Sequence, residues 1–307
     1  MKSIILILLP ILLLNCKELI LPIKSTESYD LQKALLGKKL FFDKRLSKDN
    51  TISCASCHDL EKGGDDNRDF SLGVNNKKGE VNSPTVFNSR YNFTQFWNGR
   101  ARDLKEQVSG PIHNPVEMGS SLDEALEKLK KDDYYNKQFK IVFKDGLTKK
   151  NLVDAIAEFE GALITPDSKF DRYLKGDKKA LSKDELEGYK LFKQNGCISC
   201  HNGINIGGNL FQKMGILKEY KSKVGNLGRY EVTKDIEDKN YFKVPTLRNI
   251  NKTAPYFHDA SAKTLEDAVA IMIEYQLGMQ ASKDEIDKIV KFLKTLDGKK
   301  PEILDKK

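Results

Sequence analysis

The chain has 307 residues, of which 39% are hydrophobic and 31% charged, with a formal net charge of +8. That length is enough for two domains of ordinary size, and the composition is globular. The basic excess is lysine spread along the chain, with no arginine-rich block and no nucleic-acid motif. This speaks against nucleic acid as a partner; the excess reads as a solvated lysine-rich surface and gives at most weak support to an acidic redox partner.

Residues 1–15 carry one early lysine, Lys2, and then the apolar run from Ile4 to Leu14. The run is too short to span a bilayer comfortably and reads as an export signal peptide. It ends at Leu13-Leu14-Asn15-Cys16, which resembles a bacterial lipoprotein box with Cys16 as the lipid-anchored first residue of the mature chain. Asn15 stands where such boxes carry a small residue. Residues 16–28 read as a tether. Helical apolar spacing then begins at Leu31, Ala34, Leu35, Leu40 and Phe41, opening a domain assigned to residues 29–165.

Cys54-Ala55-Ser56-Cys57-His58 follows, and Cys197-Ile198-Ser199-Cys200-His201 repeats the pattern one domain length later. Cys-x-x-Cys-His is the attachment signature of c-type haem. On one helical turn, two thiols reach the two vinyl groups of one porphyrin and the imidazole reaches the proximal side of the iron. A Cys-x-x-Cys alone leaves a zinc site, a redox dithiol or a disulfide open. The histidine directly after the second cysteine, twice over, favours two covalent haem c groups. The motifs use every cysteine but Cys16 and two of the four histidines.

After the first motif, residues 63–79 form a long polar loop, the kind that is usually functional. Residues 82–119 hold Asn82-Ser83-Pro84-Thr85, Phe96-Trp97-Asn98-Gly99-Arg100-Ala101 and Glu117-Met118. Helical patterns follow at 122–129, 134–143 and 152–163, and Thr165-Pro166-Asp167 breaks them. The second domain is assigned to residues 166–298. It opens with a capping box at 182–185 before a helix into the second motif. It also carries Val244-Pro245-Thr246-Leu247-Arg248-Asn249, Pro255-Tyr256-Phe257-His258-Asp259, an amphipathic helix over 264–276 and a capped last helix to about 296. Residues 299–307 read as a tail. Valine and isoleucine do not recur in alternating runs, which argues against a large sheet. Each half puts a helix before its motif and helices after it, a weak internal repeat of a helical haem-binding unit.

Function turns on the sixth ligand of each iron. An open iron binds peroxide or oxygen, and one closed by His or Met mainly transfers electrons. In the second half Met214, Met272 and Met279 are candidates, and sequence pattern does not choose among them. For the first iron the remaining histidines are His113 and His258. Glu117 is a candidate acid–base carboxylate near an open haem.

Over roughly residues 36–296 the chain closely resembles the bacterial di-haem cytochrome c peroxidases, on the segments quoted above together with Glu106-Gln107, Gly110-Pro111 and His201-Asn202-Gly203. The resemblance implies two all-α cytochrome c domains with long connecting loops. It makes the first haem, with His58 proximal, the peroxidatic one. It makes the second haem, with His201 and Met272, the high-potential electron entry. Glu117 would be the acid–base residue, Gln107 its neighbour, and Trp97 would lie between the haems. A calcium ion between domains would be held by Asn82 and backbone oxygens of Thr253 and Pro255. Many members carry a histidine in the loop after the first motif, capping the resting iron; here Val74 stands at that position. The implied reaction reduces hydrogen peroxide to water with electrons from a small cytochrome c or cupredoxin in the periplasm. The rivals are a di-haem enzyme oxidising a protein substrate, against which Met272 speaks, and a non-enzymatic di-haem electron carrier. The electron donor and whether the chain forms a homodimer stay open.

Overall fold

A computed structural model describes residues 18–25 and 28–307; the signal segment and Cys16 lie outside them. The fold is mostly helical. In the first half are α1 (Leu31–Phe41), α2 (Leu104–His113), α3 (Leu122–Leu129), α4 (Asp133–Val142) and α5 (Lys149–Ala162). In the second are α6 (Lys169–Leu174), α7 (Lys183–Gln194), α8 (Tyr230–Thr233), α9 (Leu265–Ile271) and α10 (Lys283–Lys294). The two short strands β1 (Phe211–Lys213) and β2 (Tyr241–Lys243) pair antiparallel. Side-chain caps start the main helices: Asp30, Asp103, Ser121, Thr148, Ser182 and Ser282 each accept a first-turn backbone N–H. The boxes of Ser182 with Glu185 and Ser282 with Glu285 are closed in both directions. The expected helix over 264–276 is α9 followed by a π-helical turn, Met272–Gln276.

Each half is built on one close helix crossing. Gly37 of α1 lies against α5 so tightly that a Cβ there would collide with the Ala155 carbonyl. Gly188 of α7 meets the Lys288 carbonyl of α10 in the same way. Only glycine lets the two backbones approach so far. An aromatic pair sits one turn on in both halves: Phe41 with Phe159 at 5.3 Å and Phe192 with Phe292 at 5.2 Å. These pairs belong to the buried apolar clusters of their own halves.

The two ends of the chain depart from the sequence reading, because each docks on the opposite half. Residues 18–25, expected as part of a free tether, lie along the second half. Ile20 and Ile23 are fully buried, Gly203 N donates to Leu19 O at 2.8 Å, and Ile23 N donates to Asp171 at 3.1 Å. Arg248, paired with Asp171 at 2.7 Å with both side chains buried, also donates to Leu21 O at 2.9 Å. Residues 299–307, expected as a tail, return to the first half. Ile303 is fully buried among Ala34, Phe41 and Phe159. Lys38 Nζ donates to the Leu304 and Lys306 carbonyls at 2.7 and 2.8 Å. Buried apolar side chains outweigh the polar neighbours that made both segments look solvated.

The halves meet at Thr165. Its Oγ1 accepts from Asn88 Nδ2 at 2.7 Å and from Asn249 Nδ2 at 2.8 Å, and its N–H donates to Asn88 Oδ1 at 2.8 Å. Gly37→Ala tests the crossing. It is expected to lower stability by about 1–3 kcal/mol, read as a lower denaturant midpoint at unchanged slope; an unshifted midpoint would show that the crossing relaxes freely.

Candidate active site

Both Cys-x-x-Cys-His motifs fold as a 3-10 turn, Cys54–Ser56 and Cys197–Ser199, at the end of an extended or glycine-turned approach. All four cysteines are free. Burial pushes the Cys57 and Cys197 thiols up to about 11 and Cys54 further. Such thiols are poor thiolates, which weakens the redox-dithiol reading. No cluster of metal-holding His, Cys, Asp and Glu occurs among the described residues.

His58 Nδ1 lies 3.1 Å from the Gly64 carbonyl. That acceptor requires the tautomer with the proton on Nδ1, which leaves the Nε2 lone pair for a metal. Gly64 holds its place at φ +79°, with Thr85 directly behind it. Burial lowers the His58 pKa, opposed by the Gly64 carbonyl. Burial lowers His201 to about 4, opposed by the Ile206 backbone, and no partner meets hydrogen-bond geometry at its Nδ1. Both imidazoles are therefore neutral at physiological pH and can act as ligands.

The first turn opens into a cavity of about 680 Å³. Cys54, Cys57 and His58 share its walls with Trp97, Arg100, Gln107 and Glu117. α2 supplies Gln107, and the turn after α2 supplies Glu117. Asn114 Nδ2 donates to Glu117 Oε1 at 2.7 Å. Burial raises the Glu117 pKa, and the Arg100 guanidinium opposes it. Arg100 itself stacks on Phe96 at 3.4 Å. Gln107 Oε1 is buried with no hydrogen-bond partner. His113 is exposed at the rim. Val74 is buried, and its N–H donates to the Glu117 carbonyl at 2.8 Å, so the loop after the first motif is fastened to the Glu117 turn.

Trp97 lines this cavity and reaches the second half. Its ring packs edge-on to Phe242 at 6.5 Å and to His258 at 6.2 Å, and Phe242 stacks on His258 at 4.1 Å. Its Nε1–H donates to Asn82 O at 2.8 Å. Among the methionines, Met272 is half-buried at the start of the π-turn between Ile271 and Ile273. Met214 is half-buried in the loop after β1, and Met279 is 44% exposed.

Two c-type haem turns, one opening on a cavity with buried acid and amide groups, define a two-haem redox protein. Residues 31–179 match the family model described as di-haem cytochrome c peroxidase, and residues 186–297 match that of cytochrome c. The chain is 52% identical to cytochrome c551 peroxidase of Nitrosomonas europaea over 93% of this chain and 86% of that one. It is 46% identical to cytochrome c551 peroxidase of Pseudomonas aeruginosa over 89% and 80%. A crystal structure of a MauG-like protein associated with microbial copper homeostasis superposes with a TM-score of 0.80 at 27% identity, covering 92% of this chain and 94% of that one. The chain belongs to the di-haem cytochrome c peroxidase family. It is a haem-dependent oxidoreductase, a cytochrome-c peroxidase carrying two haem c groups.

Two cavity residues went unassigned in the sequence reading. Arg100 sat in a quoted segment without a role. Glu160 of α5 is 5% exposed and also lines the cavity. Its signal was present: it falls one turn after Ile156, on the buried stripe of an amphipathic helix. Arg100→Met is expected to raise the Glu117 ionisation by about one pH unit, moving the acid limb of the turnover profile upward; an unmoved limb would show that the charge is screened.

Proposed function

We propose that the chain reduces hydrogen peroxide to water with two electrons from a small cytochrome c or cupredoxin. One observation carries the reading: Glu117 and Gln107 share a cavity with the Cys54, Cys57 and His58 turn. Haem bound at that turn supplies a redox-active iron open to peroxide. Asn114 holds Glu117 Oε1, leaving Oε2 to take a proton from one peroxide oxygen and return it to the other. Burial raises the proton affinity of Glu117 and Arg100 limits the rise, so the group is poised for both steps. Gln107 Oε1, lacking a partner, accepts a hydrogen bond from the peroxide and orients it.

Met272 and His201 hold the second haem, where electrons enter. Support for Met272 comes from its half-buried place on a π-turn, a feature frequent at functional sites. Trp97 carries electrons onward, supported by its contacts with Phe242 and His258. A calcium ion would join the halves, held by Asn82 and the Thr253 and Pro255 oxygens. In its support, Asn82 N donates to His258 O at 2.8 Å, and Asn67 Nδ2 donates to Lys252 O and Ala254 O at 2.8 and 3.1 Å. The protein works in the periplasm after loss of residues 1–15, anchored through lipidated Cys16. Val74 in place of a capping histidine leaves the first haem open even when both are oxidised.

Glu117→Gln is expected to keep both haems and lose turnover by about 10²-fold or more. Peroxidase assay of the fully oxidised proteins checks this together with Val74. Wild-type rates in the variant would end the Glu117 role, and a requirement for prior one-electron reduction would end the open-site reading. Met272→His is expected to lower the second haem's potential, because the softer thioether favours ferrous iron. An unchanged potential would move the ligand to Met214 or Met279.

A further inference from the structure

Reduction of hydrogen peroxide to two waters consumes two electrons and two protons. Glu117, as proposed above, passes on a proton that the peroxide itself brought, so neither consumed proton comes from it. The two consumed protons must reach the cavity from solvent, and a second titratable group on its wall could hold one of them on the way.

Glu160 has the position for it. Its carboxyl lines the cavity, and Oε2 is buried with no hydrogen-bond partner. Of all charged groups it acts most strongly on Cys54. The helix crossings give an internal comparison. Phe159 and Phe292 occupy the same place in their crossings, so Glu160 corresponds to Leu293, which is 4% exposed. Leucine fills this position without desolvating a polar group, whereas an unpaired buried carboxyl costs free energy. The first half thus carries a carboxyl that packing does not require.

The groups around it are few. α1 faces α5 with Ala34, Gly37 and Phe41, and α2 lines the cavity with Leu104, Gln107 and Val108. The haem turn brings Cys54, Cys57 and His58, and the cavity also holds Glu117 and Arg100, with Glu80, His113 and Glu231 elsewhere on its lining. Arg90 Nη1 is engaged with Gly161 O at 3.1 Å. Among the described residues, Gln107 Oε1 and Ser89 Oγ are the other fully buried side-chain atoms of the cavity lining without a partner, and they provide acceptor and hydroxyl positions for water in the cavity.

We infer that Glu160 is a redox-linked proton carrier of the first haem cavity. Its carboxylate takes one proton from water as that haem gains an electron, and the acid gives it up as product water forms. The physical basis is reciprocal linkage. Reduction removes one positive charge from a low-dielectric cavity and raises the proton affinity of a nearby carboxyl. Ionisation of the carboxyl must then lower the haem potential by the matching amount.

The inference rests on the proposed reaction for its purpose, but its test needs no peroxide. The midpoint potential of each haem is titrated against pH in the haem-loaded protein. Burial alone holds Glu160 up to about 8, and ferric haem lowers this, so coupling is expected from neutral pH upward. In the wild type the first haem's potential should fall with rising pH, approaching one proton per electron. In Glu160→Gln, and in Glu160→Leu which copies Leu293, that number should drop towards zero while the second haem's potential is unchanged. The protonated-carboxyl C=O band should vanish from the redox-difference infrared spectrum. A pH-independent potential in the wild type, or an undiminished slope in haem-loaded Glu160→Gln, would overturn the inference. If Glu160→Leu fails to load haem, Glu160→Gln decides alone. A wild type that shows the slope but does not turn over peroxide would sink the proposed function and leave the proton link standing.

Discussion

The architecture depends on a backbone-to-backbone approach made twice. Gly37 against Ala155 brings α1 and α5 together in the first half, Gly188 against Lys288 brings α7 and α10 together in the second, and an aromatic pair closes each crossing. The haem turn is held beside this crossing, so the depth and shape of its cavity follow from how closely the helices lie. A side chain at either glycine would separate the helices of its own half, and at Gly37 it would loosen the cavity wall that carries Ile156 and Glu160.

The halves are related by more than their helices. Asn88 and Asn249 follow matching Pro-Thr segments, both adopt positive φ, and both donate to the one hydroxyl of Thr165. Phe96 and Phe257 are likewise at positive φ, and the residues after them, Trp97 and His258, pack against each other. A quasi-two-fold joint therefore runs between the halves, with the aromatic cluster of Trp97, Phe242 and His258 in it. The crossed chain ends add to it. Residues 18–25 hold the second half through Arg248 and Asp171, and Ile303 holds the first, so neither half is closed without a segment from beyond the other. Removing one member of the buried Arg248–Asp171 pair would strand a charge, a cost of about 3–5 kcal/mol.

What was legible in the sequence was local. The haem turns, the Ser182 and Ser282 boxes and the helices over 122–129 and 152–163 depend on residues within a turn or two of one another, and short-range spacing encodes them. The terminal segments were misread because Ile20, Ile23 and Ile303 are isolated apolar residues among polar ones. Their burial is decided by partners far away in sequence, such as Gly203 and Phe159. The choice among Met214, Met272 and Met279 has the same character. Each sits in a plausible local pattern, and only the folded chain separates the exposed Met279 from the half-buried pair. The repeat looked weak because its two copies keep the backbone turns while exchanging side chains, as at Trp97 and His258.

Those exchanges make one scaffold serve two chemistries. A buried neutral imidazole occurs in both halves, at His58 and His201. The first adds Glu117 and Glu160 to the cavity beside its haem turn, with Arg100 restraining Glu117. In a low-dielectric wall a carboxyl remains protonated unless a cation or a developing positive charge draws the proton off. Glu117 has the Arg100 side chain as such a cation, whereas Glu160 has no side-chain cation acting on it and would answer only to the charge of a haem bound at the turn, so the two acids differ in proton affinity within a single cavity. At the position matching Glu160 the second half has Leu293, an apolar wall that couples no proton to electron transfer. In the proposed reaction, electrons would then enter through the second half without moving protons, and proton chemistry would be confined to the cavity proposed for peroxide.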